Sequence, residues 1–393
     1  MKGILKYTLY IILAFVAIVV AISLFRPSYS FDEPKPFSGT YLHNPYKDMN
    51  PDNWIQSNFH AHTRQFVGVT NGRVNTNEML DSVYSALGFQ HVGISDYNTI
   101  NYYDSANPSF VPTYEHGYGV FKIHQLCIGA DKVSPVDYLL FQNLSMKQHT
   151  LNRLSKHARL VIPAHPSFVE KGYLVEDMKY LSNYKLMEVL NGFRISTDHW
   201  DTALSNGHLV YLIGNDDSHD VTDVSDVAKR FTMINAPENE AEFLLQALEN
   251  GNAVGVDFQL RKNETLENKI QRLEKDLPYI KQVELRGDTL LISASKKIGT
   301  IKFIGQDGEE LDVQKRQTTA KYVVQPEDTY VRSVLMFSCG TTLYLNPITR
   351  HENEEIVKQR LDKINYPKTI ILWTIYAVII GFIVFIGLRT FRR

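Results

Sequence analysis

Two charge-free apolar runs, one near each end, set the first limit on how this chain can fold. Tyr7 to Phe25 and Ile370 to Leu388 contain no Asp, Glu, Lys or Arg. At about 1.5 Å rise per residue, each is long enough as a helix to cross a hydrocarbon core of roughly 30 Å. The first follows Lys2 and Lys6, as a secretory signal would. However, Ser23-Leu-Phe-Arg-Pro-Ser28 lacks a small-x-small cleavage site, and the run is long for a signal. An uncleaved anchor is the preferred reading, with a cleaved signal as its alternative. Lys2 and Lys6 before the first run, and Arg389, Arg392 and Arg393 after the second, place both termini in the cytoplasm. Arg26, Lys35, Lys363 and Lys368 on the other flanks weigh against that bias. The expectation is a two-pass cell-membrane protein with the bilayer as a partner and residues of about 26 to 368 extracytoplasmic.

Between the runs the hydrophobic period changes twice. After an irregular linker (26–52), short apolar runs alternate with helical patterns over 53–258. Strands are expected at Trp54 to Phe59, His91 to Ile94, Leu160 to Ile162, Leu186 to Leu190 and His208 to Ile213. Helices are expected after Asn75, read as a cap with Glu78 three residues on, over Leu151 to His157 and over Glu240 to Leu248. Gly88 closes the first helix. Strand, polar tip, helix is the pattern of an α/β barrel-like domain. A charged helical linker (259–280) leads to residues 281–350, where the period becomes two and Gly and Asp-Gly turns intervene, as in a small antiparallel, sandwich-like β domain. A second linker (351–369) reaches the C-terminal span (370–388); the N-terminal span occupies 1–25.

The chain has 393 residues and a formal net charge of −2. No basic stretch interleaved with aromatics occurs, so nucleic acid is not an expected partner. The two cysteines, Cys127 and Cys339, are far apart and neither sits in a CxxC; free thiols are the simpler reading, one disulfide the alternative.

Several metal-ligating residue types stand at strand ends. His60-Ala-His62 puts two imidazoles on one face. Asp217 and His219 are also at i and i+2, and a carboxylate with an imidazole suits Zn, Mn or Fe better than Ca or Mg. Glu115 and His124 lie in a polar, aromatic stretch, with His116 as a competitor for His124, and His165 follows an apolar strand in Ile162-Pro-Ala-His-Pro166. Each piece alone has an ordinary alternative as a core histidine or a solvated loop acid. Asp216, Asp220 and Asp223 are read as turn or loop charges.

The order of these pieces is distinctive. His60-Ala-His-Thr63, Ile94-Ser-Asp-Tyr-Asn98, Glu115, His124, Ala164-His-Pro166, Glu188-Val-Leu-Asn-Gly192 and Asp217-Ser-His219 together resemble the PHP family, named for polymerase and histidinol phosphatase. The resemblance spans about His60 to Val256. It implies a distorted (β/α)7 barrel, two or three transition metals (Zn, Mn or Fe) and hydrolysis of phosphoesters. The stretch from Tyr330 to Ile348 is similar to a branch with an added β domain, which includes amide and carbamate hydrolases. Carried over, one ion would be held by His60, His62, Glu115 and Asp217, a second by Glu115, His124 and His165, and His219 would belong to a third. The chain departs from the family where Tyr97 replaces a usual His, and where Arg64-Gln-Phe-Val-Gly68 and Asn71-Gly72 replace a usual acidic motif. Both changes strip the third site, so two ions are expected. Arg64 is then a candidate for the missing positive charge, and Tyr97 or His219 for protonating the leaving group. The expected activity is a metal-dependent hydrolase of a small-molecule phosphoester. An amide or carbamate hydrolase and a non-catalytic binding module remain as alternatives.

Overall fold

The computed structural model describes residues 2–65, 72, 74–356 and 360–391. Phe66, Val67, Gly68, Asn71, Arg392 and Arg393, used above, lie outside them. The architecture is mixed α/β. A long sheet runs, in spatial order, through Ile280–Arg286, Thr289–Ile304, Tyr330–Phe337, Thr342–Leu345, Ala253–Asp257, Arg230–Asn235, Trp54–Asn58 and His91–Val92. Its last pair, Ser57 with His91 and Asn58 with Val92, is parallel; the others are antiparallel. A second sheet joins Thr113–His116, Gln125–Ala130 and Ala158–Pro163, all antiparallel. Leu186–Asn191 and Tyr211–Asn215 form a parallel pair.

A closed ring of parallel strands is thus not what the hydrogen bonding gives among the described residues. Connection length is one cause. Residues 117–124 are too few for a crossover, which needs about a dozen residues or more, so Thr113–His116 and Gln125–Ala130 pair as a hairpin. Two isolated parallel bridges, Ala61 with Ser218 and Tyr97 with Glu115, draw the sheets together at their ends. Those two contacts are where the candidate ligands meet.

The first helix, Asn77–Ala86, is capped by Thr76, whose side chain accepts from Met79 N. Asn75, the expected cap, points inward instead. Its Nδ2 donates to His62 O at 2.9 Å and its Oδ1 accepts from Val221 N at 2.9 Å, tying two loops of the site together. The cap assignment therefore moves by one residue, because a buried amide with two backbone partners outcompetes a helix terminus. Gly88, with φ of 85°, closes the helix as the sequence indicates.

The strands of 281–350 continue the site-bearing sheet. Thr342–Leu345 pairs with Ala253–Asp257, with Leu343 opposite Val256. Phe231, Val256, Ile298, Leu335 and Leu343 belong to one buried cluster. Each such side chain contributes about 1.5–3 kcal/mol on burial. Arg332 adds a fork of two 2.6 Å hydrogen bonds to Asp201 in the helix Thr197–Ser205 and lies 5.1 Å from the centre of the Trp200 ring. Cys127 and Cys339 are both free thiols.

At the ends, Tyr366–Ile386 is a helix long and apolar enough to cross a membrane, and Tyr10–Leu24 is a shorter apolar helix. Tyr29–Phe31 pairs antiparallel with Asp362–Ile364. Ser28 N donates to Thr369 Oγ1 at 2.9 Å, Asn365 N to Ser28 O at 2.9 Å and Trp373 Nε1 to Arg26 O at 3.0 Å. Both apolar helices therefore leave the folded region from one place, side by side.

One acid-sensitive residue supports the site from behind. His91 is buried with its ring 4.4 Å from that of Phe59, the residue before His60. Burial pushes its pKa down to about 4. An unfolded chain would hold a proton on His91 from about pH 6.5 downward, whereas the folded chain stays neutral there until about pH 4. Between those limits the unfolded state binds more protons, so stability falls as pH drops, by up to about 1.4 kcal/mol per pH unit from this group. Urea midpoints measured from pH 7 to 4 on wild type and His91→Phe should show a shallower acid limb in the variant; identical limbs would remove His91 from the account.

Candidate metal centre

His60 and His62 follow the strand Trp54–Asn58, His165 follows Ala158–Pro163 and Asp217 follows Tyr211–Asn215, while Glu115 sits inside Thr113–His116. Two of these positions carry left-handed backbone, His165 with φ of 30° and Asp217 with φ of 55°. Such conformations cost of order 1–3 kcal/mol in non-glycine residues and cluster at functional sites. Gly117 serves the same end by its size: a Cβ there would come within 2.3 Å of the His124 ring.

The six side chains converge. His60 Nε2 lies 3.2 Å from Asp217 Oδ1 and 3.5 Å from Glu115 Oε2; His62 Nε2 lies 3.2 Å from Asp217 Oδ1 and 3.3 Å from Glu115 Oε2. All four atoms are buried and without a hydrogen-bond partner. Each has only the opposite members of the set beside it, so two imidazoles and two carboxylates face one buried point where a cation would meet all four. Bonds of 2.0–2.1 Å to a tetrahedral ion imply ligand-to-ligand edges of about 3.3–3.4 Å. Four of the six edges of such a set, those between imidazole and carboxylate, lie at 3.2–3.5 Å. Two triads, His60 with His62 and Asp217, and His60 with Glu115 and His165, each bring their ligand atoms within 4.8 Å of one another, so the donors suit a divalent transition metal.

The other oxygen of Glu115 faces a different pair. Oε1 accepts from His124 Nδ1 at 2.5 Å and from His165 Nε2 at 3.1 Å. A carboxylate whose two oxygens address two separate imidazole sets is built like a bridge between two ions. The charge balance agrees. Burial works against a proton on His60, yet the carboxylates of Asp217, Glu188 and Glu115 outweigh it and raise the pKa well above the ordinary value. Burial likewise opposes charge on His62, but Asp217 and Glu115 lift its pKa to about 9. Burial also resists ionising Glu115, but the charges of His124 and His60 hold it well below the usual range. In this state protons neutralise the carboxylates, and metal loading would displace them.

Glu188 stands behind the ligands and was not singled out as a site residue by sequence reasoning. It is fully buried. Its Oε1 accepts from His60 Nδ1 at 2.8 Å and Asn215 Nδ2 at 2.9 Å, its Oε2 from His165 N at 2.8 Å and Asn191 Nδ2 at 3.0 Å. The bond to Nδ1 turns Nε2 of His60 toward the cluster, where a cation displacing its proton would find the lone pair. The available signals were its place in Glu188-Val-Leu-Asn-Gly192, one of the pieces that carry the family resemblance, and a lone acid in the otherwise apolar run Leu186-Met-Glu-Val-Leu190. Asp216 is more than a turn residue: its carboxylate accepts from Tyr84 Oη and from the backbone of Ala228, Lys229 and Arg230.

A cleft of about 460 Å³ opens over the cluster, lined by Tyr97, Lys122, His124, His165, Phe168, Phe193, Asp217 and His219. Tyr97 stacks on His62 at 4.5 Å. Burial, then the charges of Glu115 and Asp217, raise its pKa, so it stays a protonated donor. His219 Nδ1 bonds Asp217 O at 2.6 Å, leaving its Nε2 without a partner. Arg64 is exposed and is not among the lining residues; its backbone N donates to Asn75 O. The lining cation is Lys122, which sequence reasoning did not single out.

No family model matches the chain, and no curated protein matches it. Among solved structures the chain is similar to a two-domain protein containing predicted PHP-like metal-dependent phosphoesterase from Bacteroides vulgatus ATCC 8482. The identity is 13%, over 84% of this chain and 98% of that one, with a TM-score of 0.40. Similarity at that level carries no argument about this chain, and the functional reading rests on the cluster itself.

Proposed function

We propose that the chain is a membrane-anchored, metal-dependent phosphoesterase with two ions bridged by Glu115. The observation that carries this reading is the division of Glu115: Oε2 toward His60, His62 and Asp217, Oε1 toward His124 and His165. Held by His60, His62, Glu115 and Asp217 on one side and Glu115, His124 and His165 on the other, divalent cations would supply a water acidic enough to attack an ester near neutral pH and would polarise the phosphoryl group. The chain's own residues do the rest. Glu188 and Asn191 orient the ligands, Asn191 Nδ2 reaching both Glu188 at 3.0 Å and Asp217 at 3.1 Å. Tyr97 offers a phenol proton for a hydrogen bond to the leaving oxygen. His219 presents Nε2 to the cleft as an acceptor, suited to a further cation or to orienting water.

Lys122 lines the cleft, and a cation there supports an anionic substrate over a neutral amide. We assign it the charge role that the sequence suggested for Arg64. Lys122→Ala should raise KM for a phosphoester about ten- to a hundred-fold, or roughly 1.4–2.8 kcal/mol, with metal content unchanged. Arg64→Ala should change KM by less than about three-fold. The reverse pattern would return the role to Arg64. The direct test of the reading is a screen of the metal-loaded full chain on phosphomonoesters, phosphodiesters and amides. Phosphoester turnover supports it; turnover of amides with phosphoesters inert would replace it with the amidohydrolase reading.

The paired exit of the two apolar helices supports placing both termini on one side of the bilayer. The basic residues at the extreme ends favour the cytoplasm for them and the outside for the metal centre.

A further inference from the structure

The cleft's rim is continuous with an exposed apolar edge that lies beside the membrane anchors. Two loops form it. Gly117 to Lys122 carries Tyr118 and Val120, and Val136 to Gln142 carries Leu140 and Phe141; Val120 is 64% and Phe141 71% exposed. The loops are fastened to each other. Val120 N donates to Leu139 O at 3.1 Å, Asp137 Oδ2 accepts from Tyr118 N at 2.7 Å and Gly119 N at 3.1 Å, and the rings of Phe121 and Phe141 lie 4.7 Å apart. Just past the second loop, at the start of the helix Leu144–Leu154, the chain meets the exit of the first apolar helix. Tyr29 N, at the exit of the first apolar helix, donates to Ser145 Oγ at 3.1 Å. The first loop reaches the metal cluster, because Lys122 and His124 line the cleft.

Exposed apolar side chains on loop tips are ordinary when scattered, but a contiguous set beside a membrane span marks a membrane contact. Arg26 and the exposed Lys368 at the bases of the two helices complement phosphate headgroups at that level. We propose that the loops at Tyr118 to Val120 and Leu140 to Phe141 seat in the bilayer surface, so that the metal cleft works on a phosphoester borne by a membrane lipid. This rests on the phosphoesterase reading. Phe168 and Phe193, with rings 5.7 Å apart at the cleft, would cover the apolar part of such a headgroup near its acyl chains. The reaction is hydrolysis: water adds to phosphorus, the P–O bond to the lipid or to the headgroup breaks, and the released oxygen takes the proton.

The test uses the full metal-loaded chain in phosphatidylcholine nanodiscs containing a minor monoester lipid (phosphatidic acid) or diester lipid (phosphatidylglycerol), against the water-soluble esters p-nitrophenyl phosphate and bis-p-nitrophenyl phosphate. Val120→Asp with Leu140→Asp should slow lipid hydrolysis at least ten-fold and leave soluble-ester turnover unchanged. Equal loss on both, or on neither, overturns the lipid assignment. So does turnover of soluble esters with lipids inert in the wild type. The surface is read separately. Phe141→Cys in a Cys339→Ser background, labelled with an environment-sensitive fluorophore, should be quenched by spin-labelled lipid and protected from aqueous iodide. Iodide quenching without lipid quenching overturns the contact. If no phosphoester of either kind is turned over, the phosphoesterase reading and its lipid extension fall together, while the fluorophore still decides the surface.

Discussion

Glu115→Gln is expected to remove turnover almost completely, by about a thousand-fold or more in kcat, which corresponds to roughly 4 kcal/mol of barrier. The reason is geometric. An amide keeps the size of the side chain but loses the negative charge and one acceptor, and here both oxygens are used: Oε2 toward His60 and His62, Oε1 toward His124 and His165. Occupancy should therefore fall at both ions. Asp217→Asn, whose Oδ1 meets His60 and His62 and whose Oδ2 is taken by Asn191, should weaken mainly one. Metal analysis paired with steady-state kinetics on the two variants separates these cases. Full metal and full turnover in Glu115→Gln would reduce Glu115 to a buried counter-charge for histidines.

Glu188→Ala should show the largest loss of stability of any substitution near the site. It strips four hydrogen-bond donors of their acceptor at once: His60 Nδ1, Asn215 Nδ2, His165 N and Asn191 Nδ2. Removing one partner from a buried ionic arrangement costs about 3–5 kcal/mol. The freed His60 ring can also rotate or change tautomer, so metal affinity should drop about ten- to a hundred-fold. Urea denaturation of the metal-free chain and metal titration measure the two effects independently. A normal midpoint with normal affinity would mean that packing, not Glu188, fixes His60.

How much of this could be read from the chain depends on the range of the interaction involved. His60 with His62, and Asp217 with His219, are local pairs at strand ends, and alternation alone puts each pair on one face. Glu115, His124 and His165 were legible through their order along the chain. Glu188 was harder to see because its acidity is spent inside an apolar strand, where its partners come from three other segments. Lys122 was not legible because which loop residues line a cleft depends on the course of the loop, whose backbone at Lys122 is left-handed with φ of 52°. Arg64 follows the HxHT directly in sequence; in the fold its backbone N donates to Asn75 O and its side chain is exposed, outside the residues that line the cleft. The joining of residues 281–350 to the site-bearing sheet depends on Leu343 pairing with Val256, and strand-edge partners so far apart leave no local trace in composition or period.

The account's central claim is that Glu115 bridges two ions, and metal stoichiometry of the purified full chain tests it most directly. Elemental analysis after removal of loosely bound metal should find about two transition-metal equivalents per chain, held where two imidazoles and two carboxylates face one another in the ion-free fold. A chain that retains no transition metal, and whose stability does not rise on adding Zn, Mn or Fe, would contradict it.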